Sequence, residues 1–527
     1  MPNKYWIGGS GNNWSTAANW SLSSGVVNPT SVPTAADDVF FDAGSGSGTV
    51  TTTAGATCLS ANFSGFIGTF NANTNWSVAT SLTFSSAMTI TGTGNILKTA
   101  SGGTWTFNTK TYTGGWVYHI GGGSATTIAD NIAFVGSLTG AFNANINATS
   151  TRTITIGGNF TGIYTSLSNI NFVMNGSGIL DLDLRSNGTS SLIIDTLLGT
   201  ITQSATVSLF SMTFTYVKGG WTSTAPIRFG NVGFPNIMNN VSTIVFHSMT
   251  FLANSGQTVT LNSDMYVAGN LSTISQAGII NGTGRLYVRG DISTPVSGTA
   301  TIEMDGTTNA TITTAATSIA NSLIINKSGT PTPATVTLNS FTWGAAGRTL
   351  QRTAGNINVG TSTVTIPAAA VTINNMVFNN LTVTSAAGIT QNTANTINGT
   401  LTFSGFATFA GTAGWTCATL LCTTNNSTIT LQNSVTYRTT TGVQLVSSLT
   451  TQPITMVSNN ASIRAIWTLD YGATQNIIYV NGTRIDSSLG QTIWTFGGLI
   501  SNTPLGAETL NWRTGTRPGT IAYVSVR

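Results

Sequence analysis

NINFVMNGSGILDLDLRSNGTSSLIID, residues 169–195, carries the signals that decide the fold. Side chains alternate across a strand, so Ile170 and Phe172 fall on one face and Asn171 on the other. The opening tetrad is one case of a pattern: Asn or Ser, then an aliphatic residue or Met, then any residue, then Phe. It recurs as SLTF at Ser81, NIAF at Asn131, SMTF at Ser211, NVGF at Asn231, SMTF at Ser248 and NMVF at Asn375, with a near match, TLTF, at Thr400. The composition would give about one such match by chance. The starts at 131, 169, 211, 231 and 248 step by 38, 42, 20 and 17 residues. These lie near multiples of about 20, the length of one solenoid coil. The earlier step of 50 and the later gap of 127 fit coils with insertions or degenerate sequence.

The closing segment repeats as well: SLIID at Ser191 returns as SLIIN at Ser322 and NLTVT at Asn380. Turn residues such as SNGTS, KSGTP and TSAAG flank these strands. One short coil cannot bury its own apolar face, but stacked coils can, Phe over Phe and Ile over Ile. The expected fold is all-β: a parallel β-solenoid (β-helix) over 57–460, an N-terminal Trp-rich cap or docking segment over 1–56, and a small C-terminal β domain over 461–527. About 20 coils at ~4.8 Å each would make a rod on the order of 100 Å. A string of β-sandwich domains is the competing fold, but it would show periods of about 100 residues.

Composition agrees. Only 6% of the 527 residues are charged, and Thr, Ser, Asn and 59 Gly carry the polar load. That mixture disfavours helices and suits strands joined by tight turns. The 40% of apolar residues is enough for a core and argues against disorder. A net charge of +4 is thinly spread, with no basic run, so nucleic-acid binding is not expected. No apolar run approaches the ~20 residues that span a bilayer, and MPNKYWIGG has no apolar signal core. Neither membrane insertion nor general secretory export is expected. Cys58, Cys417 and Cys422 make no disulfide or zinc framework and read as small buried side chains.

The two ends differ from the middle. The start reads YWIGGSGNNWSTAANWS (5–21), then VPTAADDVFFDAG (32–44) and TCLSANFSG (57–65). Asp37, Asp38 and Asp42 bracket two Phe without the spacing of a calcium loop, so they read as a solvated strand edge. Over residues 5–66 the chain resembles a group of large phage structural proteins that open on a W-x-G-G-x-G-x-W stretch and run through a VP-x-x-x-D-x-VFFD strand into Thr/Gly/Asn-rich β repeats. The resemblance implies a virion or tail-associated role and brings no catalytic residues. Trp6, Trp14 and Trp20 have three readings: a roof over the open solenoid end, anchors against a neighbouring subunit, or exposed rings for sugar stacking. At the other end, IRAIWTLDYG, NIIYVNGTRIDSS and TIWTFGGLI alternate as strands, with an Asn-Gly turn signal at Asn481–Gly482.

Candidate chemistry is thin. LDLDLR puts Asp181, Asp183 and Arg185 on one strand face, and IEMDG does the same with Glu303 and Asp305. Two carboxylates roughly 5–10 Å apart could cleave a glycosidic bond, although alternation of charged and apolar residues is also what a solvated strand shows. His119 and His247 sit in no nucleophile motif, and no GxSxG, HExxH or P-loop occurs. VRGD at 288–291 reads as a Gly turn. No cofactor or metal is expected. The sequence therefore points to a phage virion structural protein: a tail fibre, spike or capsid-surface fibre for host attachment, homotrimeric, partnered by other virion proteins and by a host-surface glycan. A glycan depolymerase using Asp181 and Asp183, and a bacterial β-helix adhesin, are the alternatives.

Overall fold

The computed structural model describes residues 2–8, 12–118, 124–186, 190–230, 235–252, 257–273, 278–313, 318–367, 370–384, 387–497, 500–501, 509 and 511–515. The NVGF segment at 231 and His119 lie outside them. The described residues form strands and no α-helix, with two short 3-10 turns at Ala17–Asn19 and Ala43–Ser45. The chain divides into two compact units, Met1–Ala268 with Ile274–Gln276, and Gly269–Thr273 with Ala277–Arg527. Each is a parallel β-solenoid.

In the first unit the coils stack in register. Ile132 pairs with Ile154, Ile154 with Phe172, Phe172 with Leu192, Leu192 with Phe214, and Phe214 with Met238. All six are buried. A second column, two residues along, runs Tyr112, Phe134, Ile156, Met174, Ile194 and Tyr216. Phe134, Phe172 and Phe214 thus share one interior. These three do not stack on one another, but Phe on Phe along the axis, as the sequence suggested, does occur at Phe229 with Phe251 and at Phe41 with Phe63. Phe172 lies between Ile154 and Leu192, because the next Phe of its column, Phe214, is two coils on. Rings also meet across the core: Phe160 and Phe172 are 4.7 Å apart, and Trp116 and Phe134 are 5.7 Å apart. Alternating bulky and slim side chains lets neighbouring coils interdigitate, as close packing of an interior requires.

In three of the motifs the opening Asn or Ser is a corner residue, whereas Ser248 already lies in the strand Ser248–Phe251. Asn169, Ser211 and Asn375 take φ of 59°, 56° and 54°. This left-handed region suits Asn, whose short side chain bonds locally. Another corner carries a ladder of side-chain acceptors. The amide of Asn95 donates to Asn75 Oδ1, Gly115 to Asn95 Oδ1, Asn159 to Ser137 Oγ, Ile179 to Asn159 Oδ1 and Thr200 to Ser177 Oγ, over 2.8–3.0 Å. Donor and acceptor are 20–23 residues apart, one coil. Polar side chains thereby satisfy amides where the strands turn. Glycine lets backbones meet there: a Cβ on Gly176 would stand 2.0 Å from the Gly157 carbonyl oxygen.

The N-terminal end closes the ladder. Asn3–Trp6 pairs in parallel with Asp38–Phe40 on one side and antiparallel with Trp20–Ser21 on the other. The latter is two residues long and so leaves little unpaired edge. Lys4 Nζ fixes the following loop through Thr30 Oγ1 at 2.9 Å and Ser31 Oγ at 3.0 Å.

The second unit keeps the architecture without the Phe motif over most of its length. One column reads Leu286, Ile302, Leu323, Leu350, Ile373; another reads Phe341, Val364, Leu381, Leu401, Leu420, Val443. The long gap before Asn375 is therefore filled with ordinary coils whose rung positions hold mostly Leu, Ile or Val, with Phe341 among them. Beyond residue 461, Ala465–Leu469, Thr474–Ile478 and Val480–Thr483 each pair in parallel with strands of the preceding coils. The Asn-Gly hairpin turn expected at 481–482 is not formed. Asn481 and Gly482 lie inside a strand, opposite Thr455 and Met456, and the corners are Tyr479 (φ 51°) and Arg484 (φ 53°). Gly482 serves close packing: a Cβ there would meet the Trp512 ring at 2.9 Å.

Candidate functional site

On strand Gly178–Ser186, Leu180, Leu182 and Leu184 point into the core and are buried. Asp181, Asp183 and Arg185 take the alternate, outward positions, as the alternation requires. In register, Ile163 precedes Asp183 by one coil, Ser208 follows it, and Arg228 follows Ser208. These residues and Gly162, Asp181, Leu182 and Thr206 line a surface cleft of about 330 Å³. Gly162 has φ of 125°, and its missing Cβ would collide with the Gly140 carbonyl oxygen at 2.1 Å. The lack of a side chain there lets the backbones of the two coils approach closely beneath the cleft.

Asp183 is clamped. Arg185 Nε donates to its Oδ1 at 3.3 Å and Nη2 to its Oδ2 at 3.2 Å. The Arg185 guanidinium also lies over the Phe210 ring, 4.6 Å from its centroid. A bidentate pair backed by a ring holds the carboxylate in one orientation. Asp181, one pleat away, is exposed.

The other carboxylate pair belongs to the second unit. Glu303 is buried, ion-paired with Arg285, and accepts from Asn326 Nδ2 at 2.6 Å; Asp305 pairs with Arg289 at 3.4 Å. Arg289 and Asp291 of VRGD are likewise in use, since Asp291 Oδ1 accepts from the Thr311 amide at 2.7 Å. Among the three N-terminal aspartates, Asp37 accepts from the Thr34 amide and hydroxyl, Asp38 from Ser60 Oγ, and Asp42 caps the turn at Ala43–Ser45. Among the described residues no group of three His, Cys, Asp or Glu gathers at one place. His247 is exposed.

Trp6, Trp14 and Trp20 are all but fully buried within the first unit. Trp14 and Trp20 meet edge to face at 4.9 Å, Trp6 and Trp20 at 5.2 Å, and Trp20 Nε1 donates to the Trp14 carbonyl at 2.7 Å. Phe41 joins the cluster and stacks on Phe63 at 4.1 Å, which carries the aromatic packing into the next coil. The chain itself covers these rings.

Two buried lysines escaped the sequence reading. Lys98 sits at an inward position two residues after Ile96, and its Nζ donates to the carbonyls of Ala79, at 2.7 Å, and Ala100. Lys327 Nζ donates to the carbonyls of Arg289 and Asp305 at 2.6 and 2.7 Å. Burial pushes both amines down to about 8, for Lys327 against the pull of Asp305 and Asp291. A lysine in phase with core aliphatics was the available signal.

Fold and cleft together define a β-solenoid scaffold with a mixed-charge groove on one outward face. Comparison with family models, with curated proteins and with solved structures gave no match.

Proposed function

We propose that the chain is a structural and host-attachment component of a phage particle, of the tail-fibre, spike or capsid-surface-fibre kind. The observation that carries this reading is the scaffold: coil after coil in parallel register, with hydroxyl and amide groups outward and few charges. Such a surface stays solvated without a strong field, and such a backbone is satisfied coil upon coil. The resemblance over residues 5–66 supplies the phage context. The packed N-terminal end, with Trp6, Trp14 and Trp20 inside, fits a roof over the first coil. Other virion proteins, two further copies of this chain and a host-surface glycan are the partners this role requires, and the virion is its location. Immunogold labelling of purified particles with an antibody to this chain tests the reading. Gold on the particles is expected; gold confined to the bacterial envelope would replace it with the adhesin.

A second reading, glycan depolymerase, is favoured by one observation, the carboxylates of the cleft. Release of reducing ends from host polysaccharide, abolished by Asp183→Asn, would establish it.

A further inference from the structure

We infer that the cleft between Ile163 and Arg228 is a binding subsite for a neutral, hydroxyl-rich sugar unit, held without cleavage. The inference rests on the attachment reading and says where on the chain attachment occurs. Charge is scarce in this protein, with 18 Lys and Arg and 14 Asp and Glu in 527 residues. Yet Asp181, Asp183, Arg185 and Arg228 share one outward face across the strands Gly178–Ser186, Val207–Phe210 and Pro226–Gly230. Outward positions elsewhere are mostly Thr, Ser and Asn, so the stacked fold does not demand charge here.

The geometry suits a sugar. Gly162, Ile163 and Leu182 line the hollow beside the charged groups. Carboxylates that accept from adjacent hydroxyls stand on one side, at Asp181 and Asp183. A guanidinium that can donate to ring or hydroxyl oxygens stands on the other, at Arg228, with the hydroxyls of Thr206 and Ser208 between. Ile163, part-exposed, offers an apolar edge for the C–H face of a ring. A few fixed polar groups around a small hollow are how ligand sites set orientation. Two carboxylates against two guanidiniums give no net charge, which favours a neutral ligand; an acidic polymer would meet Asp181 and Asp183 at close range.

The same geometry argues against hydrolysis. Two-carboxylate cleavage needs the groups to flank the scissile bond, one of them free to protonate the leaving oxygen. Asp181 and Asp183 stand side by side on one strand, and both Asp183 oxygens are engaged by Arg185.

The test uses the full chain on a printed panel of neutral and acidic oligosaccharides, then calorimetric titration of the best-retained compound. Neutral compounds should be retained. Asp181→Ala and Arg228→Ala should each weaken binding at least tenfold with far-ultraviolet circular dichroism and melting unchanged, and reducing ends should stay constant over a day. Retention of no compound, retention of acidic compounds alone, affinity unaltered in both variants, or growth of reducing ends would each overturn the inference. The particle-labelling result is independent: gold on particles with no sugar bound sinks the subsite alone, and sugar bound with no gold on particles sinks the virion reading alone.

Discussion

Lys98 and Lys327 make the stability of this solenoid depend on pH in a direction that can be worked out. Each amine is fully buried and bonded to carbonyls of successive coils. Burial lowers each to about 8 in the folded chain, against ~10.4 when unfolded. Between those values the unfolded chain binds more protons, so stability rises with pH through that window and the gain is lost as pH falls through 8. From pH 8 to 9 each lysine carries on average ~0.75 proton more in the unfolded chain, so the pair contributes about 2 kcal/mol. The thiols oppose this. Burial raises Cys58, Cys417 (to about 12) and Cys422, with Asp38 and Asp37 adding at Cys58. Unfolded thiols ionise near ~8.5, so three of them withdraw about 2 kcal/mol over the same interval. The parent chain should therefore be nearly flat from pH 8 to 9. The decisive background replaces all three cysteines with alanine. Urea unfolding followed by tryptophan fluorescence should then show stability rising by about 2 kcal/mol from pH 8 to 9, and Lys98→Met in that background should halve the rise. The raised tyrosines, Tyr112, Tyr164, Tyr216 and Tyr437, act only above ~10. A flat or falling profile in the cysteine-free chain would refute the assignment of buried, easily deprotonated amines.

Three further expectations follow from the packing. Gly176→Ala should cost about 1–3 kcal/mol by overpacking against the Gly157 carbonyl, whereas Gly48→Ala, with nothing within 4 Å, should stay within about 0.5 kcal/mol in the same thermal melts. Phe172→Ala should cost about 3–5 kcal/mol, and hydrogen exchange should quicken first in the coils that touch it, around Ile154 and Leu192; uniform loss across the first unit would contradict nearest-neighbour stacking. Trp20→Phe should cost about 1–2 kcal/mol in chemical denaturation, because the Trp14 carbonyl loses its buried donor.

The solenoid was legible in the sequence because burial imposes a pattern at two scales. Alternation marked Leu180, Leu182 and Leu184 as inward, and the recurrence of Phe marked coils. The absence of the Phe motif between its copies at Ser248 and Asn375 was less informative, since Leu323 or Leu350 fills a rung as well as Phe does. The corners were harder to read. Asn481–Gly482 carries a strong hairpin signal, but Gly482 is there because the Trp512 ring lies against it, a contact 30 residues away along the chain. In contrast, Asn169 and Asn375 are corners without a neighbouring Gly, held by φ near 60° and by bonds from their Nδ2 to the Ala148 and Arg352 carbonyls. For the cleft, the strand face of Asp181 and Asp183 could be read, but Arg228 could not. It joins them through the stacking of coils, which no local pattern reports.

This division of labour bears on where function can sit. Inward positions are constrained by packing, and corners by Gly, by left-handed Asn and by amide acceptors. Alternate outward positions on the strands are constrained by little beyond solubility, and Thr or Ser satisfies that at low cost. A charged residue outward on a strand therefore needs a reason of its own. Arg438 and Asp470 have one, since each binds the other across a coil at 2.7–2.9 Å. Asp183 and Arg185 have one in each other and in Phe210. Asp181 is the group in the cleft whose carboxylate stays exposed while its neighbour is clamped, and it lines the hollow together with Gly162 and Ile163. Packing, turn geometry and coil-to-coil pairing do not account for an aspartate at that place, whereas a ligand that donates hydroxyls does.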